Sequence, residues 1–251
     1  DTAAWAQINQ LMYESDALSG NRSSQLSTNV MQEVLASPEL RPALPPAVIR
    51  DFEAKRQRLY PGYAPASGPE IVDWVSERVL LTETEWRALQ DAIRRDAGET
   101  ATEAMETAFS HLVHCASASG AWVTTGDRMP GVLVLINADA GDIRCNTLDG
   151  RRILEWEKTE AAANADTPAL FSEWLRYHGP LTRAAIIEKL NISPDLLGGW
   201  LRLIEDQQDV ISGVLIEGCE DTSFCDAENY ESLLRLARAA RKPAISPRPA
   251  D

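Results

Sequence analysis

Histidine and cysteine side chains at short spacing are the first place to look for chemistry in this sequence. His111, His114 and Cys115 stand at intervals of three and four residues, so a helix predicted over Thr100–Cys115 would place them on one face. Zinc prefers such ligands, but a closed structural site needs four, and Cys145 is the only nearby candidate for the fourth. The simpler interpretation is a partly buried helical face with ordinary histidines. We therefore predict no metal site.

No motif for catalysis or nucleotide binding is present in the sequence. A phosphate-binding loop of the form Gly-x-x-x-x-Gly-Lys-Ser/Thr is absent, and there is no nucleophile elbow or metalloprotease helix. The pair Gly198-Gly199 lies inside a helical pattern, where each glycine weakens the helix by about 1 kcal/mol relative to alanine. Two interpretations stay open for this pair, close packing of helices or close approach of a phosphate backbone. We predict no catalytic residue.

Basic residues recur on several predicted helices, where they could contact the phosphates of DNA. The predicted DNA-binding residues are Lys55, Arg56, Arg58, Arg183, Lys189, Arg202, Arg235, Arg238 and Arg241. The alternative is that these side chains are solvated and complement the negative ends of their helix dipoles.

The overall composition is that of an ordinary globular protein, with a formal net charge of −14 over 251 residues. Such a charge excludes a protein that coats nucleic acid nonspecifically, so any DNA contact must come from local basic faces. No apolar run is long enough to span a membrane. The four cysteines lack zinc-knuckle spacing, which favours a reducing, cytoplasmic location.

Residues 167–241 are predicted to form a winged helix-turn-helix domain. Three helical patterns come first, with Thr182 and Ser193 as caps of the second and third. The apolar run 210–216 predicts a strand, 217–223 the tip of the wing, and Phe224-Cys225 the returning strand. Asp226 would cap a final helix through Ala239.

Residues 1–160 are predicted to form a helical region with a small antiparallel sheet, and 242–251 a flexible tail. The fold class expected for the whole chain is α+β, mostly helical, with no internal repeat. Thr82 and Glu85 form a capping box at the start of one helix. The other helices are predicted from apolar residues at helical spacing, and the strands from short β-type runs divided by turns. Helices are predicted at 4–18, 30–36, 46–59, 70–79 and 100–115, and strands at 121–125, 131–137 and 143–147.

Several stretches resemble the large helicase-related (Lhr) family of DNA repair helicases. They cover most of the chain. The residues that carry the resemblance are Ser37-Pro38-Glu39-Leu40-Arg41-Pro42, Phe52-Glu53-Ala54-Lys55-Arg56-Gln57-Arg58, Pro61-Gly62-Tyr63-Ala64-Pro65, Ile71-Val72-Asp73-Trp74-Val75-Ser76-Glu77-Arg78, Tyr177-His178-Gly179-Pro180-Leu181-Thr182 and Phe224-Cys225-Asp226-Ala227-Glu228-Asn229-Tyr230-Glu231-Ser232-Leu233-Leu234-Arg235.

The resemblance implies a superfamily-2 helicase that uses ATP and Mg²⁺ to translocate on single-stranded DNA, with this chain following the two motor domains. The motifs for ATP hydrolysis are absent here. We therefore expect a non-catalytic, DNA-contacting accessory region with no cofactor of its own. Its partners would be single-stranded or duplex DNA and the motor domains, with no membrane. The alternative is a protein-interaction scaffold in which the winged helix docks other domains.

Overall fold

The computed structural model describes residues 41–136, 143–153, 166–205 and 209–241, which form a mixed α+β structure with small antiparallel sheets. The helices predicted at 4–18 and 30–36 and the tail at 242–251 lie outside these ranges. Within them, no helix is both long and apolar enough to cross a membrane.

The first of two successive units follows an initial helix, α1 (Pro46–Arg56). The unit consists of α2 (Gly68–Glu77), β1 (Leu81–Thr82), α3 (Glu83–Ala97), a 3₁₀ turn (Gly98–Thr100), α4 (Ala101–Phe109), β2 (Leu112–Ser117) and β3 (Gly120–Thr125). A short helix, α5 (Met129–Leu135), and a further strand, β4 (Arg144–Thr147), come next. The antiparallel sheet has the strand order β1-β3-β2-β4.

The second unit has the same order of helices and strands. It consists of α6 (Thr167–Leu175), β5 (Leu181–Thr182), α7 (Arg183–Leu190), α8 (Pro194–Glu205), β6 (Val210–Gly213) and β7 (Ser223–Asp226), with α9 (Ala227–Arg241) following. Its antiparallel sheet runs β5-β7-β6, so in both units the first strand pairs with the third.

The expectation of no internal repeat is wrong, because the two units share this topology. Equivalent residues lie 100 positions apart, as in the pairs Trp74 and Trp174, or Thr82 and Thr182. Each tryptophan is buried in its unit, and each threonine caps the helix after the first strand. Few other side chains match between the units, which explains why the repeat is hard to see in the sequence.

The predicted helix caps are confirmed. The Thr82 hydroxyl accepts from the Glu85 N–H at 3.3 Å, and the Glu85 carboxylate accepts from the Thr82 N–H at 3.0 Å, which completes the capping box. The Ser193 hydroxyl accepts from the Leu196 N–H at 3.3 Å. Asp226 accepts from the Asn229 N–H at 2.9 Å. These bonds satisfy N–H groups that the first helical turn leaves without partners.

Two predicted elements in the first unit are wrong. The helix expected over Thr100–Cys115 ends at Phe109, and Leu112–Ser117 is a strand because it pairs with β3 on one side and β4 on the other. The strand expected at 131–137 is instead helix α5, whose apolar residues are buried on several sides. A short, continuously apolar run does not distinguish a buried strand from a buried helix.

Residues 41–56 pack on the second unit, although they precede the first unit in the chain. Leu44 bridges to Ile216 in parallel register, with its N–H donating to the Leu215 carbonyl at 2.8 Å. The Tyr230 hydroxyl donates to the Pro42 carbonyl at 2.8 Å, and α1 packs along α9. The boundary predicted between 160 and 167 falls largely in residues 154–165, outside the described ranges.

One hydrophobic core is shared between the two units. It joins residues of the first sheet, such as Val113 and Trp122, with α5 and with Phe171 and Trp174 of α6. A second cluster fills the helical side of the first unit, and a third lies between residues 44–52, α9 and the second sheet. The shared core makes the unfolding of one unit dependent on the other.

Truncation of Leu133, which is fully buried in the shared core, tests this dependence. We expect Leu133→Ala to lower the free energy of unfolding by about 2–5 kcal/mol, because the cavity removes contacts on both sides. Hydrogen exchange followed through urea should show α3 and α8 losing protection together. The control Leu203→Ala, at a 58% exposed position, should change stability by less than about 0.5 kcal/mol. Two separate transitions, only one of them shifted, would contradict a shared core.

Candidate nucleic-acid interface

Arg183 and Arg202 come together at one concave surface of the second unit. Arg183 is the first residue of α7, directly after its capping threonine, and Arg202 lies on α8. The two side chains line a pocket of about 440 Å³ with Gly198 of α8, Ser212 of β6 and Thr222 before β7. Three elements of the unit therefore contribute polar groups to a single surface.

Short-range contacts hold both guanidinium groups in place. Arg183 lies over the Phe224 ring, 5.6 Å from its centroid, and Arg202 donates from Nε to the Gly198 carbonyl at 3.0 Å. Neither arginine forms an ion pair with another described residue. Both are exposed, so their remaining N–H groups are available for an incoming anion.

Of the two glycines of α8, Gly198 lines this pocket, and both have room for a side chain. A Cβ added at position 198 would lie 3.6 Å from Nη1 of Arg183, an ordinary contact, and one at position 199 would meet no described atom within 4 Å. Close packing of helices therefore does not account for the glycine pair. The alternative interpretation, approach of a phosphate backbone, fits the pocket that Gly198 lines.

Equivalent positions of the first unit carry the opposite charge. Glu83 stands where the second unit has Arg183, and it pairs with Arg87 at 2.9 Å and with His114 at 3.2 Å. Helix α4, the equivalent of α8, exposes Glu103 and Glu106 and contains no lysine or arginine. This face of the first unit would repel phosphates.

The arginines of α9 do not form an unpaired basic stripe. Arg235 pairs with Glu231 one turn earlier, and Arg241 pairs with Glu217 in the loop between β6 and β7. Arg238 is half-buried. These acids offset the positive charge predicted for this helix.

The three cations at the end of α1 lie over aromatic rings. The Lys55 amine is 5.0 Å from the centroid of the Tyr60 ring, and the Arg56 guanidinium is 5.6 Å from that of Tyr177. Arg58 lies 4.2 Å over Trp74. Tyr60 and Tyr63 are exposed and meet edge to face. This surface shares no lining residue with the Arg183 pocket, so the predicted residues fall on separate surfaces.

Lys189 belongs to a buried cluster of charges between the two units. Its amine donates to Oε1 of Glu85 at 2.6 Å, and Arg78 approaches the other oxygen at 3.7 Å. Trp122 of the first unit donates from Nε1 to the Lys189 carbonyl at 2.8 Å. Lys189 therefore joins the units, a role that its position in the sequence does not reveal.

Ionisation of this cluster depends on its surroundings. Burial alone would raise the pKa of Glu85, but the positive charges around it, from His178 when protonated and from Arg78 and Lys189, lower that pKa to about 2. Burial lowers the pKa of His178 from 6.5 to about 3, so the imidazole is neutral at pH 7. Its Nδ1 lies 3.3 Å from the amide nitrogen of Gln57.

The premise of the metal-site hypothesis is wrong, because His114 and Cys115 are adjacent residues of a strand and point to opposite faces. His114 contacts Glu83, while the Cys115 sulfur lies 3.1 Å from that of Cys145, directly opposite on β4. His111 is exposed before the strand. Among the described residues, no three potential ligands are grouped for a metal ion.

No protein-family model matches the sequence, and no significant match was found among curated proteins.

Neutralising Glu85 should destabilise the protein strongly. The Glu85→Gln variant leaves Lys189 and Arg78 without their shared counter-charge in a buried site, which costs about 3–5 kcal/mol. Urea unfolding at pH 7 measures this loss. The matched control is Glu83→Gln, whose contacts with Arg87 and His114 are partly exposed and contribute at most about 1 kcal/mol each. An equal loss of stability in the two variants would show that the charge cluster does not stabilise the contact between the two units.

His178 should make stability fall as the pH is lowered. Its folded pKa of about 3 lies below the unfolded value of 6.5, so between these pH values the unfolded state binds a proton that the folded state does not. Glu53, whose pKa burial raises, acts in the opposite direction. The contribution of His178 to the pH dependence of stability is therefore measured as the difference between the wild-type protein and His178→Asn.

Between pH 6.5 and 4.5 the wild-type protein should lose up to about 1.4 kcal/mol more per pH unit than His178→Asn. Urea unfolding at a series of pH values provides the measurement. His111→Gln, at an exposed position, should retain the wild-type slope. If His178→Asn retains it too, the imidazole is not buried in its neutral form.

Proposed function

We propose that this chain is a non-catalytic, nucleic-acid-contacting accessory region of an Lhr-type ATP-dependent DNA helicase. The observation that carries the proposal is the pocket where Arg183 and Arg202 meet, beside the hairpin of β6 and β7. The resemblance of the sequence to Lhr helicases supplies the wider context, with ATP and Mg²⁺ acting in the motor domains.

The topology supports the assignment of the second unit as a winged helix. Its order of helix, strand, two helices and two strands, with the first strand beside the third, is that of winged helix-turn-helix domains. In a helix-turn-helix, α8 would be the helix offered to DNA. The connection between β6 and β7 would be the wing, and the arginine pocket lies where helix and wing adjoin.

In the proposed complex, the two guanidinium groups bind a backbone phosphate. Arginine presents several donors in a planar fork that matches phosphate oxygens, and the hydroxyls of Ser212 and Thr222 supply further donors. Contacts to the backbone carry no sequence information. We therefore expect binding that is insensitive to sequence and sensitive to salt.

A second contact is proposed at the aromatic surface where α1 ends. Exposed tyrosines beside Lys55, Arg56 and Arg58 are of the type on which bases of single-stranded DNA stack. This surface and the Arg183 pocket would together follow a strand along the protein. The net charge of −14 keeps the affinity of the isolated chain low, and motor domains on the same strand would raise it.

A protein-docking scaffold is the second candidate function. It is favoured by the acidic α4 of the first unit and by a groove of about 470 Å³ between α1 and α9, lined by Val48, Phe52 and the exposed Leu236. In this case the winged-helix topology would serve protein contacts, as a shared fold does not fix function.

Neutralising the pocket distinguishes these candidates. Binding of labelled single-stranded and duplex oligonucleotides to the whole chain is followed by fluorescence anisotropy over a range of salt concentrations. For Arg183→Gln and Arg202→Gln we expect weaker binding and a salt slope shallower by about 0.7 per lost contact on single strands, or about 0.9 on duplex. Sequence preference should not change.

The matched control is Arg94→Gln, which removes one positive charge from an exposed side chain of α3 in the first unit. It should leave the salt slope unchanged. Should wild-type protein fail to bind at low salt, or should Arg94→Gln weaken binding as much as the pocket variants do, the nucleic-acid proposal fails and the scaffold function takes its place.

A further inference from the structure

A separate polar pocket of about 490 Å³ lies in the first unit, at the end of the sheet away from the β2–β3 turn. Ser110 and His111 reach it from the end of α4, Thr125 and Asp127 from the end of β3, and residues 151–153 from the chain after β4. It shares no lining residue with the Arg183 pocket. Its two arginines, Arg151 and Arg152, were not among the predicted DNA contacts.

A tight turn after β4 fixes two arginines beside this pocket. Thr147 donates from its N–H to the Arg151 carbonyl at 2.8 Å, and its hydroxyl accepts from the Arg151 N–H at 3.0 Å. Gly150 has a φ of +92°, a conformation that favours glycine. A bridge from Asn146 to Arg152 continues the pairing. The backbone that carries both guanidinium groups is thus held in a defined position.

The charge of the pocket is positive within a strongly acidic protein. Arg151 and Arg152 are both exposed and line it, and Arg151 reaches across to donate to the Ser110 carbonyl at 3.3 Å. Asp127 supplies the one carboxylate among the lining residues. Arg152 forms no ion pair with a described residue. An anion entering here would meet two guanidinium groups and the His111 ring.

Thr125 provides an independent indication of a ligand. Its residue is 2% exposed, it lines the pocket, and its hydroxyl has no hydrogen-bond partner in the described structure. Buried hydroxyls are nearly always bonded, so this oxygen is suited to a ligand that offers oxygen atoms. The neighbouring Ser110 adds a further polar group, whereas the Thr147 hydroxyl is already bonded to Asp149 and Arg151.

Three apolar side chains, Val72, Val113 and Ile153, form the apolar part of the pocket wall. The pocket therefore combines cationic groups with a hydrophobic surface. Its volume lies within the range of about 300–1,000 Å³ that is usual for small-molecule sites. A bare inorganic anion would leave the apolar wall uncovered.

We infer that this pocket binds a phosphate monoester that carries a flat organic group, with the phosphate between Arg151 and Arg152 and the organic group against Val72, Val113 and Ile153. Such a group occurs in a free nucleotide and in the 5′-phosphorylated end of a nucleic-acid strand. The site is independent of the proposed contact at Arg183 and Arg202.

Titration of the whole chain with adenosine 5′-monophosphate, inorganic phosphate and adenosine tests the site, with amide chemical shifts as readout. The nucleotide should bind at least ten times more tightly than phosphate or adenosine. The shifted amides should be those of 110–113, 125–127 and 147–153. Arg151→Gln and Arg152→Gln should each weaken nucleotide binding about tenfold, whereas Arg144→Gln, an exposed arginine of β4 outside the pocket, should change it less than twofold.

A second arm identifies the source of the phosphate. In the Arg183→Gln/Arg202→Gln background, 5′-phosphorylated and 5′-hydroxyl oligonucleotides are compared. Tighter binding of the phosphorylated strand that Arg152→Gln removes supports the pocket and assigns it to strand ends. Nucleotide binding without this difference supports the pocket and assigns it to free nucleotides.

The inference is overturned if neither the nucleotide nor the phosphorylated strand shifts the pocket amides of the wild-type protein. It is also overturned if Arg144→Gln weakens binding as much as Arg152→Gln. Thr125→Val, which keeps the shape of the side chain, gives a further check, because it should weaken nucleotide binding only if the unpaired hydroxyl contacts the ligand.

Discussion

The packing of the two units depends on the interactions of one carboxylate, that of Glu85. One of its oxygens accepts from the Thr82 N–H and completes the start of α3, while the other accepts from Lys189 of the second unit. A single side chain therefore satisfies an N–H group at the start of its own helix and also pairs with the half-buried amine of a distant lysine. Buried ion pairs contribute little net stability compared with apolar packing, but they penalise any arrangement that separates the partners. Glu85 and Lys189 thus restrict how the two units can pack.

Local features of the fold could be predicted from the sequence, whereas features that need distant partners could not. The capping box at Thr82 and the caps at Ser193 and Asp226 are complete within four residues, and all three are observed. Residues 112–115 were predicted as the end of a helix, because their strand conformation depends on pairing with β3 and β4. The same holds for Lys189, which looks like a solvent-exposed cation on a helix until Glu85, 104 residues away, is placed beside it. For the candidate site, Arg183 and Arg202 were predicted from the sequence as DNA contacts. That they line one pocket with Ser212 and Thr222 could not be predicted, because it depends on the folded hairpin.

The two units show how one topology carries opposite surfaces. At the position after the first strand, the first unit has a glutamate and the second an arginine. Helix α4 has acidic residues and no basic one, whereas α8 contributes Arg202 to the pocket. The buried residues that define the topology, such as Trp74 and Trp174, do not change with this exchange. Core packing and surface charge are thus set by different residues. A repeat of this kind can assign phosphate contact to one copy and leave the other for packing or for a different ligand.

The packing of residues 41–44 across the second unit has a consequence for synthesis of the chain. Arg41 donates to the Ser212 carbonyl across 171 residues, and Tyr230 reaches Pro42 across 188, with the first unit lying between these partners in sequence. We call residues 41–44 the strap. In the order of the chain, the first unit is therefore inserted between the strap and the second unit, on which the strap packs. On the ribosome, the strap emerges long before its partners Leu215 and Tyr230, so its buried residues Ala43 and Leu44 stay without their docking site until nearly the whole described chain has been made. Closing so large a loop slows folding, so we expect this segment to dock late, well after its own synthesis.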